Sequence, residues 1–559
     1  MSLDSPFSDK LRKNYIAQPE EEAGIGAVIE HHRTIVHELD VQEKEIDQAI
    51  TALLERKGAV RGIRDTHQKF IDDHQSLLSS VLHLPEDVLS KIFMDSVPPE
   101  YQWPRIHPIV QISHVCRQWR DSALSNPMLW ISLDVANISL PRLRPEGEPD
   151  LLRFVRRMGR LADMLPVLIS RAGGFPLTLT IHAEDPTSRH MMPAYAESVL
   201  PVLNALRDSR WGKICLRLAP RYQDSPLLDL LQLGAQSRES LRYASLTLFP
   251  YGDPLTSEGD IIDHLNLDNT GQLSGLHLNI ARVSLLKLRI RWGSITELSL
   301  SAVPPARGLL EILAQCPNLT RFTATVAGFV PPPHPQEKVT LSHLHSLSIA
   351  GEIGEIAHGL VLPSLSFFKA IELPMGGFDT SIPQCLRSYG SQLQKVAFSY
   401  DRLAPPTLLN CLKNASSVIS LEIGPCPFIP SPGERPMTNK AFSHLHQYAL
   451  YVLTVKQDDS GAFRPVCPKL ENIIVHAPDV NTEVEEWAEF LASRRRSMEG
   501  AAAFLKSAEI RLPPPGPGES VVAPSMHDRV CDELAKRGVK IQGIKFLVEE
   551  SPVWSNGLP

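Results

Sequence analysis

Apolar residues recur in a heptad pattern along residues 19–80, a stretch that contains no proline after Pro19. The apolar positions of this pattern are Val28, Ile35, Leu39, Ile46, Ala49, Leu53, Val60, Ile63 and Phe70. Polar residues interrupt the same seam at His32, Gln42, Arg56 and His67, and the surrounding sequence is heavily charged. A seam of this kind predicts an amphipathic helix of coiled-coil type. About 50 residues of helix would span roughly 75 Å.

Two roles are open for this helical arm. Its apolar seam favours self-association, or binding of a helix from a partner protein. Polar seam residues weaken a coiled coil, so the other interpretation is a solvated helix that folds back on its own chain. Gly58 and Gly62 predict a bend, because glycine in a helix interior costs about 1 kcal/mol.

Two short helices are predicted between residues 84 and 133. Pro85 suits the first turn of the first helix, because that turn needs no backbone N–H. The apolar stripe of the first helix consists of Val88, Leu89, Ile92 and Phe93. Prolines at 98 and 99 end it, and residues 102–108 form a loop. The apolar face of the second helix consists of Ile109, Ile112, Val115, Cys116 and Trp119, and Pro127 ends that helix before Leu129 and Trp130.

Fifty residues in two short helices cannot bury this much apolar surface alone. Some members of the cluster must therefore pack on the rest of the chain or on a second protein; they are Leu84, Ile92, Val115, Trp119 and Trp130. A cluster with two tryptophans is typical of an interface core. A hydrophobic helical pair that is buried in its own fold is the competing interpretation.

The order LP-x-x-(V/I)-L-x-x-IF, then VCRxWR, then NPxLW resembles the F-box over about 50 of the 559 residues. The stretch PPEYQWPRIHPIVQIS between the helices is longer and richer in proline than the usual turn. The resemblance implies binding of a Skp-type adaptor and, through it, a cullin. The positions carried over as facing the adaptor, or as supporting that face, are Leu84, Pro85, Val88, Ile92, Val115, Cys116, Trp119 and Trp130.

A wider resemblance takes in the charged helix, the LPED start of the F-box and ISRAGGFPLTLTI at residues 169–181. This combination is similar to the F-box-like proteins that are abundant in mushroom-forming fungi. In those proteins the step from helix to glycine to PLxLxL leads into leucine-rich repeats.

A template of the form Lxx(apolar)x(apolar) recurs downstream. Its copies are LSGLHL at 273, ITELSL at 295, LTRFTA at 319, LHSLSI at 344, LSFFKA at 365, LQKVAF at 393, VISLEI at 418, LHQYAL at 445 and LENIIV at 470, with degenerate copies KICLRL at 213 and YASLTL at 243. The mean spacing, about 25 residues, lies within the range of leucine-rich repeats. Helical pieces separate the copies, as at residues 306–319 and 406–418. An unrelated α/β fold remains the alternative.

The predicted fold class is therefore α/β. It combines a long N-terminal helix, a small helical F-box module and an irregular leucine-rich-repeat solenoid, which is a curved parallel sheet with helices or turns outside. The array is expected to be irregular because the asparagine of the usual repeat is absent. The predicted domains are a charged helical arm at 1–82, the F-box at 83–133, connecting helices and the entry to the repeats at 134–205, the repeat array at 206–480 and a C-terminal cap at 481–559.

Residues between the apolar positions of each repeat strand face the concave side of the predicted solenoid, where partners bind. The client-binding residues predicted on this basis are Arg321, Phe367, Lys369, Lys395 and Glu422. Gln447 and Ala449 are assigned to the same face. The mixture of polar, basic and aromatic side chains favours a protein or peptide client over a phosphate-rich ligand. A solvated sheet face is the competing interpretation.

The C-terminal region predicts one or two helices and a strand, then a linker at residues 512–520. A further helix follows, ends at Gly538 and leads into a last strand. This segment suits the altered terminal cap that repeat arrays need. The three arginines in SRRRS at residues 493–497 match a nuclear-import or kinase-recognition patch, but a solvated helix face is favoured.

Composition and charge indicate which partners and which cellular location to expect. The 56 basic and 63 acidic residues give a net charge of −7, which argues against nucleic acid as the main partner. The sequence contains 47 prolines in 559 residues, a larger fraction than the average of about 5%. Many of them fall in the predicted loops, including residues 330–335 and 429–436. Eight scattered cysteines without a CxxC pair indicate a reduced, intracellular protein. The N-terminus lacks the apolar core of a secretory signal, and no membrane span is expected. We expect a cytoplasmic or nuclear location.

No enzymatic motif is found in the sequence. It contains no P-loop, GxSxG or HExxH, so no catalytic residue and no cofactor is predicted. His343 with His345, and His444 with His446, are pairs that could share a strand face, but metal ligation would need further ligands. We predict no metal site.

Three functional hypotheses follow. The first is the substrate-recognition subunit of a Skp–cullin–F-box ubiquitin ligase, which is not itself an enzyme. The second is a protein-interaction scaffold in which the F-box-like module is structural and the helical arm self-associates. The third is an enzyme with a site that the motifs do not reveal, which a deep pocket with converging titratable groups would support.

Overall fold

The structure is a computed structural model. It describes residues 5–78, 84–97, 108–140, 149–207, 209–249, 264–280, 284–303, 306–326, 338–351, 359–371, 382–400, 403–425, 443–456, 465–476, 484–496, 502–512, 526–539 and 545–550. The loop predicted between the F-box helices, the proline-rich loops at 330–335 and 429–436 and most of the C-terminal linker lie outside these ranges.

The chain divides into two compact units, Met1–Lys91 and Ile92–Pro559. The first unit contains a single long helix and the beginning of a second one. The second unit contains the rest of the F-box-like region and a large sheet.

Helix α1 runs without interruption from Pro19 to Leu77. Proline at its first position and three glutamates in its first turn, at residues 20–22, suit the start of a helix. The phenolic O–H of Tyr15 donates a 2.9 Å hydrogen bond to Glu21, and Lys10 pairs with the same carboxylate. Gly58 and Gly62 both lie inside this single helix, so the prediction of a long helix is confirmed.

The remaining helices are shorter than α1 and are spread along the rest of the chain. They are α2 (Glu86–Ser96), α3 (Pro108–Ser113), α4 (Arg117–Ser125), α5 (Pro149–Arg171), α6 (Met192–Arg207), α7 (Ala235–Ser240), α8 (Ala306–Ala314), α9 (Ile382–Tyr389), α10 (Pro405–Asn414), α11 (Ser443–Leu453), α12 (Val484–Arg496) and α13 (Met526–Lys536). From α9 to α13 each helix packs against the next one, so these helices form one row.

The strands form one large sheet and two small two-stranded ladders. They are β1 (Ser132–Ser139), β2 (Leu177–Glu184), β3 (Trp211–Ala219), β4 (Tyr243–Leu248), β5 (Asn266–Leu267), β6 (Gly275–Ile280), β7 (Arg289–Ile290), β8 (Glu297–Val303), β9 (Arg321–Val326), β10 (Val339–Thr340), β11 (Ser346–Gly351), β12 (Leu360–Val361), β13 (Phe367–Ile371), β14 (Lys395–Ser399), β15 (Ser420–Gly424), β16 (Asn472–His476), β17 (Ser507–Leu512) and β18 (Lys545–Glu550).

Among the described residues the large sheet has 14 strands, which follow one another in chain order. Every neighbouring pair is parallel. The smaller ladders pair β5 with β7 and β10 with β12. A parallel neighbour must be reached by a crossover, and the intervening helices and turns supply these crossovers. The mixed α/β class with one large parallel sheet is thus confirmed.

Side chains alternate along several strands between a buried and a less buried face, most clearly in β2, β9 and β11. In β9, for example, Phe322, Ala324 and Val326 are buried, while the intervening positions are more exposed. The predicted repeat strands lie in register. Ser346 of β11 lies opposite both Arg321 of β9 and Phe367 of β13. The period-2 pattern of the sequence therefore identified the buried face.

One predicted repeat strand is wrong. The copy LHQYAL at residue 445 lies in helix α11, so Gln447 and Ala449 are on a helix and not on the sheet. The buried apolar residues Leu445, Ala449 and Leu450 are spaced by four and one, which suits one face of a helix. Strand β16 consequently follows β15 directly in the sheet.

The sheet is also longer than the predicted array of residues 206–480. At one end β1 and β2 precede β3 in the same ladder. At the other end β17 and β18 continue from β16 with unbroken parallel register. The helix and strand elements expected after residue 480 are present, and Gly538, with φ +69°, follows α13 as expected for a glycine that ends a helix.

Arg494 does not lie on a solvated helix face, as the sequence analysis favoured for the SRRRS segment. Only 1% of its surface is exposed. Its guanidinium donates hydrogen bonds to the backbone carbonyls of Leu453 (3.0 Å), Val466 (2.7 Å) and Cys467 (3.1 Å). Leu453 is the last residue of α11, so one of the three acceptors is a carbonyl at a helix C-terminus. Burial lowers the pKa of Arg494 to about 10.

Candidate protein-binding sites

Helix α2 carries two apolar stripes that differ in exposure. Leu89 and Phe93 are fully buried, with 1% and 0% of their surface exposed. Val88 and Ile92 are exposed, at 39% and 41%. Residues four apart lie on the same face of a helix, so each pair forms its own stripe. The helix therefore anchors through one stripe and presents the other to solvent.

The second predicted helix is in fact two helices. Helix α3 ends at Ser113, and α4 begins at Arg117. Cys116 has an extended backbone conformation, and its Sγ accepts a hydrogen bond from the backbone N–H of Trp119 at 3.5 Å. Cys116 is therefore the N-cap of α4 and is half-buried. Val115 lies in the turn between the helices and is 61% exposed.

Trp119 is half-buried because it packs against α2. Its ring meets that of Phe93 edge-on, with the ring centroids 5.1 Å apart. The indole Nε1 of Trp119 is buried and has no hydrogen-bond partner among the described residues. Trp119 therefore serves first to hold Phe93 and α2 in place.

Trp130 cannot contact an adaptor directly, because none of its surface is exposed. Its Nε1 donates a 2.8 Å hydrogen bond to the carbonyl of Ala123 in α4. The guanidinium of Arg171, at the end of α5, lies 4.6 Å from the centre of one face of the indole. A 3₁₀ turn at Pro127–Trp130, capped by the side chain of Asn126, directs the indole back toward α4. Of the two roles predicted for Trp130, only support of the binding face remains.

The eight predicted adaptor-facing positions thus fall into three classes. Those exposed to solvent are Pro85, Val88, Ile92 and Val115. Those that are half-buried are Leu84, Cys116 and Trp119, and Trp130 is buried. Three exposed apolar side chains in this region were not predicted, namely Met94, Leu124 and Met128. The helical phase of α2 places Met94 away from its buried stripe, which is the signal that identifies it.

The five predicted client-binding residues lie on one face of the large sheet. Phe367 of β13 lies opposite Lys395 of β14. Ser346 of β11 lies opposite both Phe367 and Arg321, so these residues form one row across the strands. Two residues further along the strands, Lys369 lies opposite Ala397, and Ala397 lies opposite Glu422. The five residues therefore occupy two adjacent rows that cross the strands.

Glu422 is the centre of a polar cluster on this face. Nε2 of His476 lies 2.8 Å from its carboxylate, and Arg511 approaches the same carboxylate to 3.7 Å. Arg511 also donates to Glu509 at 2.5 Å. Burial acts to raise the pKa of Glu422, but the hydrogen bond from His476 and the positive charges of Lys369 and Arg511 outweigh it, so the pKa lies below its usual value.

His476, Glu509 and Arg511 were not among the residues predicted from the sequence. His476 lies on β16, one residue after the repeat copy LENIIV. Glu509 and Arg511 lie on β17, beyond the predicted array. Lys369 was predicted, and burial lowers its pKa while the nearby Glu422 opposes that change. Ala397 lies between Lys369 and Glu422 in this row, and each of the two charged side chains affects the pKa of the other.

A second polar group lies on the same face of the sheet at β3–β8. Nζ of Lys213 lies 4.9 Å from the ring centre of Tyr243. The imidazole of His277 is 2.8 Å from the hydroxyl of Ser299, in the next strand. Burial, followed by the charge of Arg217, lowers the pKa of His277. These side chains also were not predicted.

Neither histidine pair that was weighed as a metal site shares a strand face. His343 precedes β11, and Nδ1 of His345 lies 3.0 Å from the carbonyl of Ser364. His444 and His446 lie in α11. Within the described ranges no group of three or more histidine, cysteine, aspartate or glutamate side chains is arranged to hold a metal ion.

Comparison with known families matches residues 81–136 to the family described as F-box-like. The matched segment contains α2, α3, α4 and the 3₁₀ turn at Trp130. The chain therefore carries an F-box-like domain, which supports its classification as an F-box protein. F-box proteins are generally non-catalytic adaptors. No curated protein matches the chain.

Within the part of the chain that the structure describes, no helix is long and apolar enough to cross a membrane.

Proposed function

We propose that this protein is the substrate-recognition subunit of a Skp–cullin–F-box ubiquitin ligase. The F-box-like domain at residues 81–136 is the observation that carries the proposal. In this role the chain performs no chemistry of its own. It holds a client protein near a ubiquitin-loaded enzyme, and so contributes effective concentration and orientation.

The adaptor would dock on the exposed apolar residues of the F-box-like domain. Ile92 and Val115 are the strongest candidates in the second unit, because both are large enough to fill a pocket and both are exposed. The contact of the buried Phe93 ring with the half-buried Trp119 ring holds the two helices together. A few exposed apolar side chains can supply most of the binding free energy of an interface.

We infer that the 14-stranded sheet is an irregular leucine-rich-repeat solenoid. Strands β6 to β15 begin 21–28 residues apart within the main sheet, which is the spacing of such repeats. Each strand follows the preceding one in chain order, and helices or turns lie between them. Stacked units of this kind share one continuous core. We expect this protein to be related to the fungal F-box-like proteins that contain leucine-rich repeats.

The client would bind the polar face of this sheet. Its two central rows contain Arg321, Phe367, Lys369, Lys395 and Glu422, which are more exposed than the intervening apolar residues. An aromatic ring beside cations and a hydrogen-bonded carboxylate suits a peptide with both apolar and charged side chains. Residues His476 and Arg511 fix the position of the Glu422 carboxylate for this purpose.

Co-purification with a Skp-type adaptor tests the proposal. Full-length chain with Val115→Glu and Ile92→Glu should lose the adaptor, because a charge in an apolar interface must be desolvated. Val167→Glu is the matched control, since Val167 is 50% exposed on α5, outside the F-box-like match. Retention of the adaptor by the double variant would contradict the proposal.

A second candidate function is a protein-interaction scaffold whose F-box-like domain is structural. The exposed apolar seam of α1 favours it, because such a helix can bind a partner without any ligase. If the unaltered chain fails to bind any Skp-type adaptor, the scaffold function is the one that remains.

A further inference from the structure

Helix α1 exposes an unusually long series of large apolar side chains. They are Ile29, Val36, Leu39, Val41, Ile46, Ile50, Leu53, Leu54, Val60, Ile63, Phe70 and Ile71. Six of these side chains lie on the heptad seam, and a helix of 59 residues that remained single in water would leave them unburied; they are Leu39, Ile46, Leu53, Val60, Ile63 and Phe70. We propose that α1 pairs with α1 of a second copy of this chain as an antiparallel coiled coil, with the two-fold axis between residues 54 and 55.

The distribution of charge determines the direction of pairing. In this register residues 32–54 of one helix lie against residues 55–77 of the partner helix. Residues 32–54 contain five acidic and two basic side chains, and residues 55–77 contain four acidic and five basic side chains. A parallel pair would place the two net acidic segments side by side. An antiparallel pair places each net acidic segment against the net basic segment of the partner helix, which is the attractive arrangement.

The seam residues determine the register. With the axis between residues 54 and 55, Ile46 meets Ile63 of the partner subunit, Leu39 meets Phe70 of the partner subunit, and Ala49 meets Val60 of the partner subunit. These layers are apolar on both sides, as a coiled-coil core requires. Heptad positions a and d thus face each other from Leu39 to Phe70, while Ile35 meets His74 of the partner subunit and Val28 lies beyond the overlap of the two helices.

The polar seam residues also fit this register. Gln42 meets His67 of the partner subunit, so two hydrogen-bonding side chains share one layer. Arg56 meets Leu53 of the partner subunit, and its aliphatic stem covers that leucine while the guanidinium reaches water. In a parallel pair, by contrast, Arg56 would face Arg56 of the partner subunit in the seam, and like charges there repel.

Glu43 and Arg64 flank the seam and support the same alignment. Each lies one position beyond a seam residue, and in the antiparallel pair Glu43 lies beside Arg64 of the partner subunit. Within its own helix Arg64 contacts only the adjacent carboxylate of Asp65 among the hydrogen bonds described, and that pair is exposed. An exposed pair contributes little by itself, so Arg64 is available to a partner helix.

The molar mass of the full chain in solution is the first test. Light scattering at micromolar concentration should give twice the chain mass of 62.0 kDa. Ile46→Glu should return the mass to that of one chain. Leu54→Glu is the matched control and should leave the dimer intact, because Leu54 lies off the seam and is equally exposed, at 61% against 60% for Ile46.

Chemical cross-linking between isotopically heavy and light copies tests the direction. A short amine-reactive linker should join Lys44 to Lys69 of the partner subunit, because residue 44 faces residue 65 in the proposed register. In a parallel pair those lysines lie about 37 Å apart along the axis, and Lys44 would instead join Lys44 of the partner subunit. A single-chain mass at all concentrations, equal loss of the dimer in both glutamate variants, or the parallel cross-links would each overturn the inference.

Discussion

The ring of Phe93 lies edge-on to the ring of Trp119, with centroids 5.1 Å apart. Phe93 belongs to the buried stripe of α2, and Trp119 lies in the first turn of α4. This contact joins helices that are separated in sequence by the long proline-rich stretch. The aromatic pair thus determines how the F-box-like domain presents its exposed apolar residues.

Loss of this contact should destabilise the domain. Trp119→Ala is expected to lower the free energy of unfolding by about 2–4 kcal/mol, below the largest values for tryptophan because the residue is only half-buried. Trp119→Phe keeps an aromatic edge and should cost about half as much or less. Chemical denaturation of the full chain, followed through the F-box-like region by hydrogen exchange, measures the difference. Equal effects of the two variants would show that the ring contact is unimportant.

Trp130 should behave as a core residue and not as a binding residue. Trp130→Phe removes the hydrogen bond to the Ala123 carbonyl and leaves that carbonyl without this donor. The expected loss is about 1–2 kcal/mol of unfolding free energy. Adaptor affinity, measured well below the unfolding temperature, should stay unchanged. A variant of normal stability but reduced affinity would place Trp130 in the interface after all.

The buried Arg494 should be essential for the packing of α11 against α12. Arg494→Met removes the donor to three backbone carbonyls and is expected to cost about 3–5 kcal/mol. Arg495→Met, at the exposed neighbouring position, is the control and should change stability by about 0.5 kcal/mol or less. Thermal denaturation of both variants compares them directly. A similar melting temperature would contradict the role assigned to Arg494.

The Glu422 cluster predicts a dependence of stability on pH. The pKa of Glu422 lies below its usual 4.5 in the folded chain, so the ionised carboxylate stabilises the fold. This contribution is fully present above pH 4.5 and is lost as the pH falls through the lowered pKa. Glu422→Gln should therefore be less stable than the unaltered chain near pH 7, with a difference that shrinks on acidification. A difference that stayed constant from pH 7 to pH 3 would rule out the ionic contribution.

Local patterns allowed much of the fold to be predicted. The strand copies at residues 319 and 344 alternate apolar and polar positions, and this alternation determines which side is buried whatever lies further along the chain. The copy at residue 445 failed because a short apolar run satisfies both the strand and the helix period. Only the burial of residues up to Leu453 distinguishes the two.

Long-range contacts explain what the sequence did not reveal. Arg494 looked like a surface residue because its acceptors are 27–41 residues away in the chain. Trp130 matched an adaptor-facing position, but one face of its indole lies against Arg171, at the end of α5. His476 and Glu422 meet only because β15 and β16 are neighbours in the sheet. A one-dimensional pattern contains none of these distances.

Direct measurement of adaptor binding tests the central proposal most sharply. Calorimetric titration of a purified Skp-type adaptor into the full chain should show a one-to-one complex. Val115→Glu with Ile92→Glu should weaken binding by about 30-fold or more, equivalent to about 2 kcal/mol, while Val167→Glu leaves it unchanged. Binding of equal strength to the double variant, or no binding to the unaltered chain, would contradict the proposal that this protein is a ligase receptor.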